Sequence, residues 1–225
     1  MFVYNEPAMF TDGYLAVSDL HLGISNEIGR AGITVPSQAE RLAEKLNALK
    51  KQTKTDNLVV VGDFKHSIPS ISRIEHAEIP AFLRKLEFNE IVIVKGNHDG
   101  RIESVIKGVE NVRVRKSFAV GDFFFTHGHR TAKTEKSTVV IGHNHPGVRF
   151  RDRFGAVYIE PCWVRGKIRM NGKDRGLIIM PAFNELSGRV AVNEGRFMGP
   201  VATKIRDAHA VLLDGTDLGA IKQIK

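Results

Sequence analysis

The chain has 225 residues, with 33 Lys plus Arg against 25 Asp plus Glu, a net charge of +8 and a pI near 9.7. That length can bury a full core, so residues 1–225 are expected to form a single domain, and the basic balance favours an anionic partner. No apolar run approaches the ~20 residues of a membrane span, no basic-then-apolar leader pattern opens the chain, and the lone Cys162 excludes an intramolecular disulfide; no membrane partner and a cytoplasmic setting are expected.

In chain order, residues 14–18 form the first short run rich in β-branched or aromatic types and read as a buried strand. Ser37-Gln38-Ala39-Glu40, after Pro36, has the pattern of a capping box, and Leu42, Leu46 and Leu49 then recur at helical spacing, predicting a helix over 37–50. A second strand is predicted at 58–61. A helix beginning at Glu78 or Ile79 and ending at Leu86 follows, with Pro80 in its first turn and Ile79, Phe82, Leu83 and Leu86 as its apolar stripe. A third strand is predicted at 91–94, and a short helix over 101–107 stopped by Gly108. Strands alternating with helices imply parallel pairing.

After about residue 109 the strands come closer together, at 111–120, 123–126, 138–141, 147–154, 156–159, 164–170 and 177–180. Asn171-Gly172 marks a hairpin-type turn, Asp12-Gly13 and Asp214-Gly215 are further turn signals, and a second, mostly antiparallel sheet is the natural assembly. The fold class is therefore α/β.

Five strands end in residues that hold metals or move protons: Asp19 and His21, Asp63 and His66, Asn97 and His98, His127 and His129, His143 and His145. Seven of the nine histidines sit there, leaving His76 and His209 elsewhere, and strand carboxyl ends are where ligands gather in open α/β sheets. Carboxylate, imidazole and amide oxygen without thiolate suit first-row divalent ions rather than a structural zinc. Asp19 and His21 can grip one ion, Asp63 can give one oxygen to each of two ions, Asn97 adds a neutral oxygen, and His127, His143 and His145 complete the shells. The pattern describes a dinuclear site.

Together, Asp19-Leu20-His21, Gly62-Asp63, Gly96-Asn97-His98-Asp99, His127-Gly128-His129 and Gly142-His143-Asn144-His145 resemble the motif series of the calcineurin-like metallophosphoesterases, over residues 19–145. The resemblance implies a four-layer sandwich of two mixed β-sheets flanked by helices. It implies one ion held by Asp19, His21, Asp63 and His145 and another by Asp63, Asn97, His127 and His143, with His98 catalytic and oriented by Asp99. The ions implied are Mn2+, with Fe, Zn or Ni as alternatives, and the reaction is in-line attack on phosphorus by a hydroxide held between them. Many relatives carry an acidic residue where this chain has His66. Lys65-His66 with Pro181-Ala182-Phe183-Asn184 is similar to the small branch related to the DNA-repair exonucleases of this superfamily. His66 and His129 are expected to orient ligands from behind, while Lys65 either approaches substrate phosphate or faces solvent.

Residues 147–178 carry Arg149, Arg151, Arg153, Arg165, Lys167, Arg169, Lys173 and Arg175 against Asp152, Glu160 and Asp174. Alternation puts Trp163, Arg165, Lys167 and Arg169 on one face, which reads either as a nucleic-acid surface or as a solvated, protected sheet edge. The preferred function is a metal-dependent phosphodiesterase of nuclease type. The alternatives are a phosphomonoesterase acting on nucleotides or phosphoprotein, and a non-catalytic scaffold of the same fold.

Overall fold

A computed structural model describes residues 1–195 and 197–224. The first sheet joins β1 (Ala8–Thr11), β2 (Tyr14–Val17), β3 (Asn57–Val61), β4 (Glu90–Val94) and β5 (Val112–Arg115) in that order. β1 is antiparallel to β2, and every other pair is parallel. The two-residue connection Asp12-Gly13 has φ of 47° and 79°, the pair of positive values that a tight hairpin needs. Leu58, Val59, Val60 and Val61, like Ile91 to Val94, are buried on both faces, which is why these strands read as unbroken apolar runs.

The second sheet takes β6 (Phe118–Val120), β7 (Phe123–Phe125), β8 (Thr138–Ile141), β9 (Pro146–Arg151), β10 (Val157–Met170), β11 (Lys173–Ile179), β12 (Val190–Ala191), β13 (Arg206–Leu212) and β14 (Asp217–Ala220). Its order is β12-β9-β10-β11-β8-β7-β6, with β13 against β10 and β14 against β13. β7, β8 and β11 run parallel to one another, and the hairpin at Asn171-Gly172 forms as predicted, with φ of 51° and 74°.

Three cores result. Val59, Val61, Val92 and Val94 of the first sheet meet Phe125, Val140, Trp163 and Met180 of the second. Against the outer face of the first sheet lie α2 (Ala39–Thr53), through Leu42, Leu46 and Leu49, and α3 (Arg73–Lys85), through Ile79, Phe82 and Leu83; α1 (Ile24–Arg30) precedes them. Each such buried side chain contributes roughly 1.5–3 kcal/mol. The outer face of the second sheet is covered by Val192, Val201, Ala202 and Ile221, from 3-10 turns and the four-residue α4 (Gly199–Ala202). The expected layers are present, the last one thin. Among the described residues no helix is long and apolar enough to cross a membrane.

The differences from expectation have local causes. At Ser37 the capping box does not form: Gln38 is the N-cap without a side-chain bond, Ser37 Oγ donates to Glu78, and Glu40 pairs with Lys85. The box forms instead at Ser72 and Glu75, so α3 starts before Glu78 and Pro80 lies inside it. The carbonyl that Pro80 leaves without a partner belongs to exposed His76, where water can reach it. The helix expected at 101–107 is only a 3-10 turn, Ile102–Ser104, entered through Arg101 at φ 61°; a segment this short has too few bonds to offset helix nucleation. The strand expected over 111–120 is two, because the chain leaves the first sheet after Arg115 and joins the second at Phe118. The strands expected at 156–159 and 164–170 are one strand, β10, which pairs with β9 up to Pro161 and with β13 from Cys162. Proline tolerates that switch because its missing N–H falls where the ladder changes partner.

Candidate metal centre

β2, β3 and β4 of one sheet and β7 and β8 of the other bring their carboxyl ends to the same edge of the sandwich. The chain then turns sharply: Asp19, His21, Asp63, His143 and His145 have φ of 56°, 44°, 42°, 68° and 42°. Left-handed backbone at non-glycine residues costs about 1–3 kcal/mol each and persists only where the surroundings enforce it. Five such residues at one edge mark a site under constraint.

Asp63 lies at the centre. Its Oδ2 is 3.1 Å from His127 Nε2, 3.8 Å from His21 Nε2 and 3.9 Å from His98 Nε2, while its Oδ1 accepts from the His98 backbone N–H at 2.9 Å. Asp19 Oδ1 is 3.4 Å from His145 Nε2, and the Asp19 carboxylate accepts from the His143 N–H at 3.2 Å. Asn97 Oδ1 sits 3.1 Å from His127 Nε2, and His21 Nε2 sits 3.4 Å from His145 Nε2. Two glycines permit this crowding: a Cβ on Gly62 would lie 1.9 Å from His127 Nδ1, and one on Gly96 2.1 Å from Asp63 Oδ1.

Electrostatics follow from burial against charge. Burial pushes the Asp19 and Asp63 carboxyls up, but the imidazoles of His145 and His127 outweigh it and hold both below the usual carboxylate range. Burial opposes charge on His127 too, yet its bond to Asp63 and the Asp19 carboxylate push it up to about 9, and His145 is raised beside Asp19. Burial wins at His21, pushed down to about 3, at His129, pushed down to about 4, and at His143, which is also lowered.

The donor set fits divalent ions. In the trio Asp19, His21 and His145, and again in Asp63, His127 and His143, one donor atom from each side chain lies within 4.8 Å of the others. Asp63 connects the trios. Buried carboxylate oxygens facing imidazole nitrogens, without thiolate, match what first-row divalent ions accept.

The remaining predicted residues surround this cluster. His98 Nδ1 donates to the His66 carbonyl, leaving Nε2 toward Asp63. Asp99 does not reach the His98 ring as expected. It is buried beneath, accepting from the Gly96 N–H at 2.8 Å and the Lys65 N–H at 3.1 Å, and so ties two motif loops together; burial raises its carboxyl. His66 Nδ1 is 3.2 Å from His21 Nδ1, and its Nε2 is 2.8 Å from Glu27 Oε2. The His129 ring lies 5.2 Å from that of His127, tilted by 55°, and its Nδ1 is buried without a partner among the described residues. Lys65 neither faces solvent nor reaches into the site: it is buried and donates to the carbonyls of Ser67 and Ser70. Trp163 is fully buried and stacked on Phe2 at 4.1 Å, so it adds no aromatic to the basic stripe.

Sequence reasoning missed Glu27 and Glu75. Glu75 is buried and accepts from the backbone N–H groups of His66, Ser67 and Ser72, fixing the loop whose carbonyl anchors His98. Its signal was the Ser72-x-x-Glu75 spacing. Nothing local announces Glu27, 39 residues from its partner.

This arrangement, carboxylates and imidazoles on the facing edges of two mixed sheets, is that of a metal-using phosphoester hydrolase. The calcineurin-like phosphoesterase family model matches residues 14–197, and the chain belongs to that family, whose members use divalent metals. Among solved structures, the nuclease MPE of Pseudomonas putida is similar, with TM-score 0.62 and 20% identity over 94% of this chain and 91% of that one. The phosphoesterase YfcE of E. coli matches at TM-score 0.41 and 14% identity, over 93% and 99% of the two chains. No curated protein matches the chain. The likeness to MPE is one of fold.

Proposed function

We propose that residues 1–225 form one domain that hydrolyses phosphodiester bonds with two divalent ions, of which manganese is the natural first choice, in the manner of a nuclease. The observation that carries this reading is the position of Asp63 Oδ2, flanked at 3.1 Å by His127 and at 3.8 Å by His21, between the two donor trios. Asp19, His21, Asp63 and His145 would hold one ion, and Asp63, Asn97, His127 and His143 the other. When bound, the ions supply positive charge to the phosphoryl oxygens and acidify water.

The chain's own groups do the rest. Gly62 and Gly96 let His127 and the 96–99 loop close on the carboxylates. His98, its Nδ1–H fixed on the His66 carbonyl, keeps Nε2 free to hold the proton that the leaving oxygen needs. His66, contacting His21 on one side and Glu27 on the other, fixes the orientation of the His21 ring, and His129 supports His127. Asp99 acts by holding loops, not by touching the reacting groups. Net charge of +8 supports a nucleic-acid substrate, and the fold is one that a nuclease uses. The buried, unpaired thiol of Cys162 accords with a reducing, cytoplasmic setting.

Manganese-loaded protein should cleave bis(p-nitrophenyl) phosphate faster than p-nitrophenyl phosphate, and His98→Ala should lose most of that activity. Absence of turnover with any divalent ion rejects the reading. Faster cleavage of the monoester would make the protein a phosphomonoesterase, and indifference to His98→Ala in every assay would make it a scaffold.

A further inference from the structure

Beside the candidate centre lies a cleft of about 490 Å³ lined by Asn97 and His129 together with Lys95, Lys116, Arg130 and Lys133. A second cleft, of about 470 Å³, shares Thr131, Ala132 and Lys133 with the first and adds Arg169 and Lys204. Among the described residues, no aspartate or glutamate lines either one. Six cations therefore line two adjacent clefts, the first of which is also lined by Asn97 and His129.

Most of these charges are uncompensated. Lys95 pairs with Glu103 at 2.7 Å, whereas Lys116, Arg130, Lys133, Arg169 and Lys204 have no acidic partner among the described residues. The basic stripe singled out in the sequence behaves differently: Arg165 pairs with Asp217 at 3.1 Å, Lys167 with Asp207 at 3.8 Å, and Arg149 with Glu194. Those cations are answered by the chain's own carboxylates. Like charges left facing one another along a concavity repel in the free protein and focus the field on an anionic ligand.

A single phosphate would engage one or two of these side chains. Two adjoining clefts suit a ligand with regularly repeated negative charge, and the hydroxyls of Ser117, Thr126 and Thr131, which line them along with the cations, suit phosphate oxygens. We propose that the linked clefts form a channel for one nucleic-acid strand, holding the phosphates that flank the scissile one; this rests on the phosphodiesterase reading and assigns its substrate class. The segment 147–178 contributes to the channel through Arg169 alone of its eight basic residues.

The test compares the manganese-loaded parent with the K116Q/R130Q/K133Q variant and with R165Q/K167Q, whose cations are already paired. Binding of fluorescein-labelled single-stranded DNA and RNA 20-mers of equal sequence is read by anisotropy against salt, and cleavage is read relative to bis(p-nitrophenyl) phosphate. Losing three phosphate contacts lowers the salt slope by about 2, so the parent should lose roughly 20-fold more affinity than the triple variant between about 50 and 200 mM salt. The triple variant's ratio of strand cleavage to small-diester cleavage should fall, while R165Q/K167Q behaves like the parent. A fall on either strand supports the channel, and the strand that falls further is its ligand. Equal salt slopes in parent and triple variant, or an equal loss in R165Q/K167Q, would overturn it. If the parent cleaves no diester but the anisotropy differences hold, the phosphodiesterase reading fails and the channel stands as a binding site.

Discussion

Gly62 and Gly155 have nearly the same φ, 84° and 88°, both in the region that favours glycine, and opposite surroundings. A Cβ on Gly155 meets nothing within 4 Å, whereas one on Gly62 would lie 1.9 Å from Nδ1 and 2.3 Å from Cγ of His127. Alanine at either position has to adopt the left-handed region, at a cost of roughly 1–2 kcal/mol of stability. At Gly62 the imidazole must also retreat by at least about 1 Å to reach the 3.0 Å that real Cβ contacts respect. Displacement of a reacting or ligating group by about 1 Å costs on the order of 100-fold in rate. Gly155→Ala should therefore lower the denaturation midpoint and keep parental turnover of bis(p-nitrophenyl) phosphate, while Gly62→Ala carries the same backbone cost and loses about 100-fold in kcat. The difference between the two variants isolates the position of His127 from backbone strain. Parental kcat and manganese affinity in Gly62→Ala would refute the placement of His127 against Asp63.

Proton release should accompany metal binding: His127 is held up to about 9, so at neutral pH it carries a proton that a cation must displace, and the Asp19 carboxylate holds His145 above its ordinary value too. Manganese affinity should rise with pH and level off near 9, and the stabilisation that charged His127 gives the metal-free fold, complete below its ordinary 6.5, should be lost as pH rises through about 9. Titration calorimetry in buffers of different ionisation enthalpy checks this, and zero proton release contradicts it. Removing the cap with Ser72→Ala should cost about 1 kcal/mol in chemical denaturation with little effect on rate. Glu75→Ala, which strands three backbone N–H groups, should cost roughly 3 kcal/mol and lower activity through the 66–67 loop; a loss no larger than that of Ser72→Ala would contradict that role. Cys162 is buried, which pushes its thiol up to about 12, so it should resist thiol reagents until the protein unfolds.

What the sequence made legible was the part of the molecule ruled by local pattern. Doubly buried strands such as β3 and β4 announce themselves as apolar runs, the residues that end them converge because parallel strands end together, and Asn-Gly or Asp-Gly between strands leaves few conformations. Tertiary competition decided the rest. Ser37 and Ser72 offer the same capping pattern, but Lys85 draws Glu40 away from the first, while Glu75 is kept by three backbone donors. Arg113 and Arg115 continue the rhythm of a strand into Phe118, and only the second sheet's position splits it into β5 and β6. Trp163 shares a face with Arg165, but at Trp163 the face is covered by Phe2 and at Arg165 it is open. Charge counts along 147–178 could not reveal Asp207 and Asp217, which answer Lys167 and Arg165 from distant strands.

The central claim is that Asp63 joins two cation sites. Metal content after chelation, reloading with manganese and gel filtration, measured by inductively coupled plasma mass spectrometry on parent and Asp63→Asn, tests it most directly. Two manganese ions per parent chain, with both weakened in Asp63→Asn, is the result this account predicts. A parent that retains one ion or none, or an Asp63→Asn variant that keeps both at parental affinity, would contradict it.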